Sequence, residues 1–413
     1  MNTFRKYLFF SIPIVNSFTD ALIGYLFAIT ISPGIIRAIY IGIIILFFSP
    51  YLKFRKPLVP IYLLLIYLFV SVLLSSDIGY SIVYYFKFAL PLLLLPIAYY
   101  LVDSVKSLAK IFNAMVLASL IVIIDFLIGQ FINFRHSPYL DEIFLGGGEV
   151  QTTYIISYTL LLFPILFKIT TSNTKKIFYY IVIIGGLLVL LFVLRRASIL
   201  GLLGGYLIFI TFNKSRVKTT RYVLIFVVIL LTIIPLFTNA LEDLFSKRLD
   251  VSEEYTRWGG RFGETYFVVT HFINEPFQNK LFGEELFNTK DLIQQVMYLN
   301  PSRPFHVDYN ILLAGAGLVG LSLYLYLFIN LIIYLNYLLK LSSNNQINSL
   351  LKSTFYAVIT CSLIISASNQ MWVVSSISAV ALLLGSILGY LKNTLTKDII
   401  KNKAKNENLN LHS

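Results

Sequence analysis

One cysteine, two tryptophans and four histidines occur in 413 residues, and only 13% of the chain is charged. The lone Cys361 allows no intrachain disulfide and sits in an apolar run, so cysteine usage carries no redox information. There is no Cys/His cluster and no HExxH, DxD or GxSxG motif, so the spacing offers no sign of a dedicated metal centre or a hydrolase elbow. A Gly-rich phosphate loop and an internal repeat are also missing. An average soluble domain is roughly 25% charged. About half that charge, together with 57% hydrophobic residues, excludes a soluble globular protein.

Long apolar runs are what the chain has in abundance. They fall at about 8–31, 35–52, 58–74, 82–102, 111–132, 152–170, 177–194, 197–212, 222–238, 309–339, 353–368 and 372–391. Each is long enough to cross a bilayer, some with tilt, and a helix satisfies its own backbone in hydrocarbon. The expectation is an all-α polytopic membrane protein of about twelve transmembrane helices. Its parts are helices one to nine in 1–238, a large loop with short helices in 239–308, helices ten to twelve in 309–391, and a polar, disordered tail in 392–413. The basic, apolar start, with Arg5 and Lys6, reads as part of the first span rather than as a signal peptide.

The net charge of +13 then acquires an address. With the N-terminus inside, the cytoplasmic segments hold 17 Lys and 4 Arg, the outer ones 3 Lys and 8 Arg when Arg37, at the outer end of the second span, is counted with them, and Lys87 lies within a span. Lysine in short cytoplasmic loops is topological, so no nucleic-acid partner is expected. Arginine outside suits bidentate binding of phosphate or carboxylate; pairing with outer acids is the alternative. Asp20, Lys87 and Asp125 are the charges expected within spans, where they require a partner or water.

Three constellations stand on the outer side. RRASILGLLGG places Arg195 and Arg196 at a tight turn, ahead of Ala197, Gly201 and Gly205, a small-residue face for close helix packing. Helix-capping, snorkelling arginines are the plainer reading. In RWGGRFGETYFVVTH, helical spacing puts Arg257, Arg261, Glu264 and His271 on one face and Trp258, Phe262, Tyr266 and Val269 on another, as a membrane-surface helix also would. In PSRPFHVDYNILLAGAGLVG, His306, Asp308 and Tyr309 stand where the chain re-enters the membrane, above Gly315, Gly317 and Gly320. A His or carboxylate there is placed to act as a general base, or simply as an interfacial anchor.

The order of these pieces resembles the O-antigen polymerase/ligase superfamily over roughly Ile177 to Gly320. Arg196 opens a span before small residues, Arg261 and NEPFQNKLFGEELF follow with a turn similar to the family's Pro-x-x-Gly, and His306 precedes Gly317 at ligase-like spacing, with Val307 in place of a polar residue. Gln278 to Lys280 look inserted, and Glu284 or Glu285 stands where glycine is frequent.

The resemblance implies a C-type membrane glycosyltransferase (GT-C) fold in a bacterial inner membrane, with cytoplasmic termini and a periplasmic active site. The implied reaction joins undecaprenyl-pyrophosphate-linked glycans without metal or other cofactor, alongside a flippase and a chain-length regulator of the same pathway. Arg195, Arg196, Arg257 and Arg261 would hold pyrophosphate. His306 or Asp308, less readily Glu264, would take the acceptor proton, and Trp258, Tyr255 and Tyr309 would stack on sugars. An O-antigen ligase and a lipid-linked oligosaccharide flippase are the rival readings.

Overall fold

In this computed structural model the described residues are 3–25, 33–135, 143–148, 150–193, 195–213, 260–288, 305–342, 346–368 and 373–410. Every secondary-structure element among them is helical. The first part contains α1 (Thr3–Phe10), α2 (Ile12–Tyr25), α3 (Pro33–Phe48), α4 (Val59–Leu73), α5 (Ile78–Leu92), α6 (Leu94–Leu101) and α7 (Val105–Ile132). The middle contains α8 (Thr153–Leu160), α9 (Phe163–Ile169), α10 (Asn173–Val193) and α11 (Arg196–Phe212). Then come α12 (Gly260–Asn274), α13 (Phe277–Phe282), α14 (Asp308–Leu341), α15 (Gln346–Ser366) and α16 (Val374–Asn410).

Seven helical stretches are long and apolar enough to cross a membrane: Lys56–Leu73, Ile78–Leu101, Val105–Ile132, Asn173–Val193, Asp308–Leu341, Gln346–Ser366 and Val374–Thr396. Ile35–Tyr51 and Arg196–Phe212 are shorter apolar helices. The chain therefore has the architecture of a polytopic helical membrane protein. Of the expected spans, 222–238 lies outside the described residues, 8–31 is described only to Tyr25, and 152–170 holds two short helices; each of the others coincides with one of these long or shorter apolar helices.

Span 8–31 divides at Ser11, between α1 and α2, and three others are broken as well. Span 82–102 divides into α5 and α6 at Leu93, between Pro91 and Pro96, where proline removes backbone donors and crowds the preceding turn. Span 152–170 divides into α8 and α9, with Pro164 in the opening turn of α9. The third break is in α14, at Gly317, where φ is 64°. The tail also differs from expectation: α16 runs on to Asn410. KNKAKNENLN contains neither Gly nor Pro and follows directly from a formed helix, so propagation needs no new nucleus.

The centre of the bundle is α16, buried on every side from Val374 to Leu391. Small residues make this possible, because neighbouring backbones must approach closely where no solvent-exposed face exists. A Cβ on Gly389 would lie 2.6 Å from the Tyr99 carbonyl oxygen, and one on Gly385 would lie 2.9 Å from the Ala98 Cβ, so α6 is seated directly on these glycines. The small-residue face of α11 packs in the same way on α15. A Cβ on Gly201 would meet Cys361 Sγ at 3.1 Å, and one on Gly205 would meet the Ala357 carbonyl at 3.0 Å.

The intramembrane charges find partners. Asp20 is ion-paired with Arg37, both buried. Asp125 accepts from the Gly147 and Gly148 amides at 3.0 and 2.7 Å. Lys87 lies over the Tyr84 ring, 4.5 Å from its centroid.

Candidate functional site

The first turn of a helix has backbone N–H groups without intrahelical acceptors. At the start of α14 the residue in the capping position is Val307, whose side chain has no acceptor. Glu264, reaching across from α12, fills that role. Its carboxylate accepts from His306 N at 3.0 Å, from Val307 N at 2.9 Å and from the Asn310 Nδ2 at 3.0 Å. Asn310 Nδ2 also donates to Thr265 Oγ1 at 3.0 Å. Glu264 is only 3% exposed, so a buried charge is balanced by convergent donors and the positive end of the helix. The next residue, Asp308, is fully buried, whereas His306 is half-buried.

Gly317 then interrupts α14, which frees backbone groups within an otherwise apolar helix. The Ala314 carbonyl accepts from Glu284 N at 2.9 Å, and the Ala316 carbonyl accepts from Tyr67 Oη at 2.7 Å. Gly315 and Gly317 are thus contact points for residues 281–286, rather than for another span alone: a Cβ on Gly315 would lie 2.6 Å from Leu286 Cα, and one on Gly317 would strike the Leu281 carbonyl. Gly283, with φ of 77°, ends α13 and turns the chain into this contact. Glu285 fixes the far side, accepting from Ser75 Oγ at 2.9 Å and Ser76 N at 3.2 Å.

The two consecutive arginines separate. Arg195 precedes α11 in extended backbone and is buried, donating to Tyr154 Oη with its guanidinium 4.5 Å from that ring's centroid. Arg196, the first helical residue, is exposed. Among the described residues Arg195 Nε has no hydrogen-bond partner.

Tyr154 Oη donates to Ser368 Oγ at 3.4 Å, just beyond α15. Tyr309 Oη donates to the Leu363 carbonyl at 2.6 Å, and the Tyr324 and Ser366 hydroxyls are 2.8 Å apart. Asp308 lies within electrostatic reach of both tyrosines. The end of α15 is therefore a polar hub, reached by buried Arg195 through Tyr154 and Ser368 and by Tyr309, the neighbour of Asp308, through the Leu363 carbonyl.

On α12, Arg261 is exposed, and so are Tyr266, Val269 and Ile273. The helix turns Glu264 inward and an apolar stripe outward, a pattern suited to lipid contact. Arg261 and Glu264, placed on one face by spacing, thus serve different surroundings. Farther along, His271 Nε2 is 3.2 Å from Glu275 Oε1 and 3.5 Å from Glu284 Oε2. Asn279 Nδ2 donates to both glutamates, at 2.8 and 2.9 Å. Burial, then the adjacent Glu275, pushes the Glu284 carboxyl above the usual glutamate range. A hydrogen bond from Glu284 holds Glu275 below that range, against the opposing effect of burial.

Thus Glu264, His306, Asp308, Tyr309 and Arg195 share one connected region, with Arg196 and Arg261 exposed nearby in sequence. Tyr255, Arg257 and Trp258 lie outside the described residues. Spacing did not single out Tyr154, Asn310, Ser366 or Ser368; a hydroxyl in an apolar run is too common to signal a role without its partner. No protein-family model matches this chain, and no curated protein matches it.

Proposed function

We propose that the chain is a polysaccharide polymerase that joins polyprenyl-pyrophosphate-linked oligosaccharide repeats at one face of a bacterial inner membrane. The observation that carries the reading is the hub at the end of α15, where buried Arg195 is held through Tyr154 and Ser368, and where Tyr309 and Tyr324, both within electrostatic reach of buried Asp308, bond to Leu363 and Ser366. Such a region offers a cation for a pyrophosphate and an acceptor for a proton within a largely apolar wall.

In the reaction, an acceptor hydroxyl attacks the anomeric carbon of the donor chain. The new glycosidic C–O bond forms as the bond to pyrophosphate breaks, and undecaprenyl pyrophosphate leaves with the electron pair. Arg195, Arg196 and Arg261, with Arg257, bind the pyrophosphate as its charge develops, where preorganised donors contribute most. The acceptor proton passes to His306 or Asp308. Glu264 is less suited to that step, because its two oxygens already accept from His306 N, Val307 N and Asn310. Tyr309, Tyr255 and Trp258 face sugars in this scheme. The twelve-span GT-C layout and the periplasmic placement of the site belong to the same proposal.

The test is incubation of purified full-length protein with one defined undecaprenyl-pyrophosphate repeat. A ladder of longer lipid-linked products is expected from wild type. Arg196→Ala and Arg261→Ala should abolish it while the protein still accumulates in the membrane. Transfer to lipid A core without a ladder would mean a ligase, and movement of the repeat across the bilayer without bond formation would mean a flippase. Wild-type chain lengths from both variants would overturn the assignment of the arginines.

A further inference from the structure

We propose that His271, Glu275 and Glu284 bind one divalent transition-metal cation of the zinc type, each through a single atom, with a fourth position open to solvent. His271 and Glu275 are one helical turn apart at the end of α12, and Glu284 is brought to them by the turn at Gly283. One ligand atom from each lies within 4.8 Å of the others.

Spacing and donor type together choose the ion. Zinc bonds of about 2.0–2.2 Å in a tetrahedron require ligand atoms roughly 3.3–3.6 Å apart. The observed separations from His271 Nε2 are 3.2 and 3.5 Å. Magnesium in an octahedron at about 2.1 Å needs adjacent ligands about 3.0 Å apart, and both magnesium and calcium prefer oxygen donors to imidazole.

The surroundings are those of a braced site. Asn279 donates to Glu275 Oε2 and to Glu284 Oε1, the oxygens not directed at His271 Nε2, and so sets each carboxylate for one-atom ligation. Phe267 stacks on the His271 ring at 5.7 Å. The backbone of Glu284 is anchored to Ala314. Exposures of 20%, 19% and 23% for the three side chains leave a path for an ion and for a solvent ligand. A bound cation would clamp α12 to the segment that docks at the α14 break.

The test uses tag-free, full-length protein in detergent, stripped with chelator and then exposed to zinc, cobalt, magnesium or calcium. Bound metal is read by elemental analysis, affinity by competition with a chromophoric chelator, and geometry by the cobalt absorption band. About one zinc per chain is expected, with a tetrahedral cobalt spectrum. His271→Ala and Glu284→Gln should remove it, and Asn279→Ala should weaken binding about 10- to 100-fold. Size-exclusion profiles verify that each variant is folded; should one fail, the remaining two carry the test. Less than about one-tenth equivalent of zinc in wild type, or unaltered affinity in folded His271→Ala or Glu284→Gln, would overturn the site. Stronger binding of magnesium than of zinc would overturn the choice of ion. These readouts are independent of chain extension.

Discussion

Removing the Glu264 carboxylate is the most direct perturbation of the junction between α12 and α14. In Glu264→Ala, three donors lose their acceptor: the His306 and Val307 amides and the Asn310 side chain, all now within 3.0 Å of it. A buried donor left without a partner costs about 1–3 kcal/mol. Asn310 retains Thr265, and the half-buried His306 amide is open to water, so roughly 2–5 kcal/mol of destabilisation is expected. At about 2 °C per kcal/mol this lowers the unfolding midpoint by about 4–10 °C in detergent. Glu264→Gln keeps one acceptor but points an NH2 group at an amide, and should cost about 1–2 kcal/mol. Scanning fluorimetry at a fixed heating rate measures both, and fixing the rate matters where unfolding is irreversible. An unchanged midpoint in Glu264→Ala would refute the capping argument. If Glu264→Gln instead kept its midpoint and lost all chain extension, Glu264 would be the proton acceptor.

Gly317→Ala should destabilise by more than about 2 kcal/mol, because positive φ and the Leu281 carbonyl both oppose a Cβ, whereas Gly42→Ala meets only Leu90 at 3.6 Å and should be nearly silent in the same thermal assay. Tyr154→Phe deprives buried Arg195 of an acceptor and should cost about 1–3 kcal/mol; Arg196→Ala, at an exposed position, should stay within about 0.5 kcal/mol of wild type. Asp103 gives a pH-dependent case. Burial pushes its carboxyl up, but hydrogen bonds from Ser107 and Ser104 and the Lys6 charge outweigh it and hold the pKa below the usual value. Its stabilisation is therefore full above the ordinary aspartate range and is lost as pH falls through the lowered value. Midpoints measured from pH 6 down to about pH 3 should fall less steeply in Asp103→Asn, and parallel curves would refute the assignment.

Membrane-spanning segments were legible because apolar runs and their charged boundaries are properties of composition, which tertiary contacts do not alter. The breaks within them were harder to read. Pro91, Pro96 and Pro164 marked two in the chain, but Gly317 looks like any packing glycine until its φ is known. At the candidate site, placement at the outer ends of apolar runs pointed to Arg195, Asp308 and Tyr309, and helical spacing in the long loop pointed to Glu264. Neither told Arg195 from Arg196, because one residue's difference in backbone conformation decides which side chain turns inward. Nor did either reveal that Glu264 caps a helix some 40 residues away, since that depends on how α12 meets α14. The His271, Glu275 and Glu284 group escaped notice for the same reason: its third member arrives only through the turn at Gly283.

The break at Gly317 also constrains the order in which the molecule can be assembled. A helix entering hydrocarbon with open carbonyls at Ala314 and Ala316 is incomplete until partners arrive. Those partners are the Glu284 amide, encoded just upstream, and the Tyr67 hydroxyl on α4, encoded far earlier. Both have left the ribosome before α14 does. The chain thus delivers the two halves of this joint ahead of the helix that needs them, and insertion of α14 becomes favourable once α4 and residues 281–286 are in place to receive it. A polypeptide rearranged so that α14 preceded either partner would have to hold those carbonyls open in lipid while it waited.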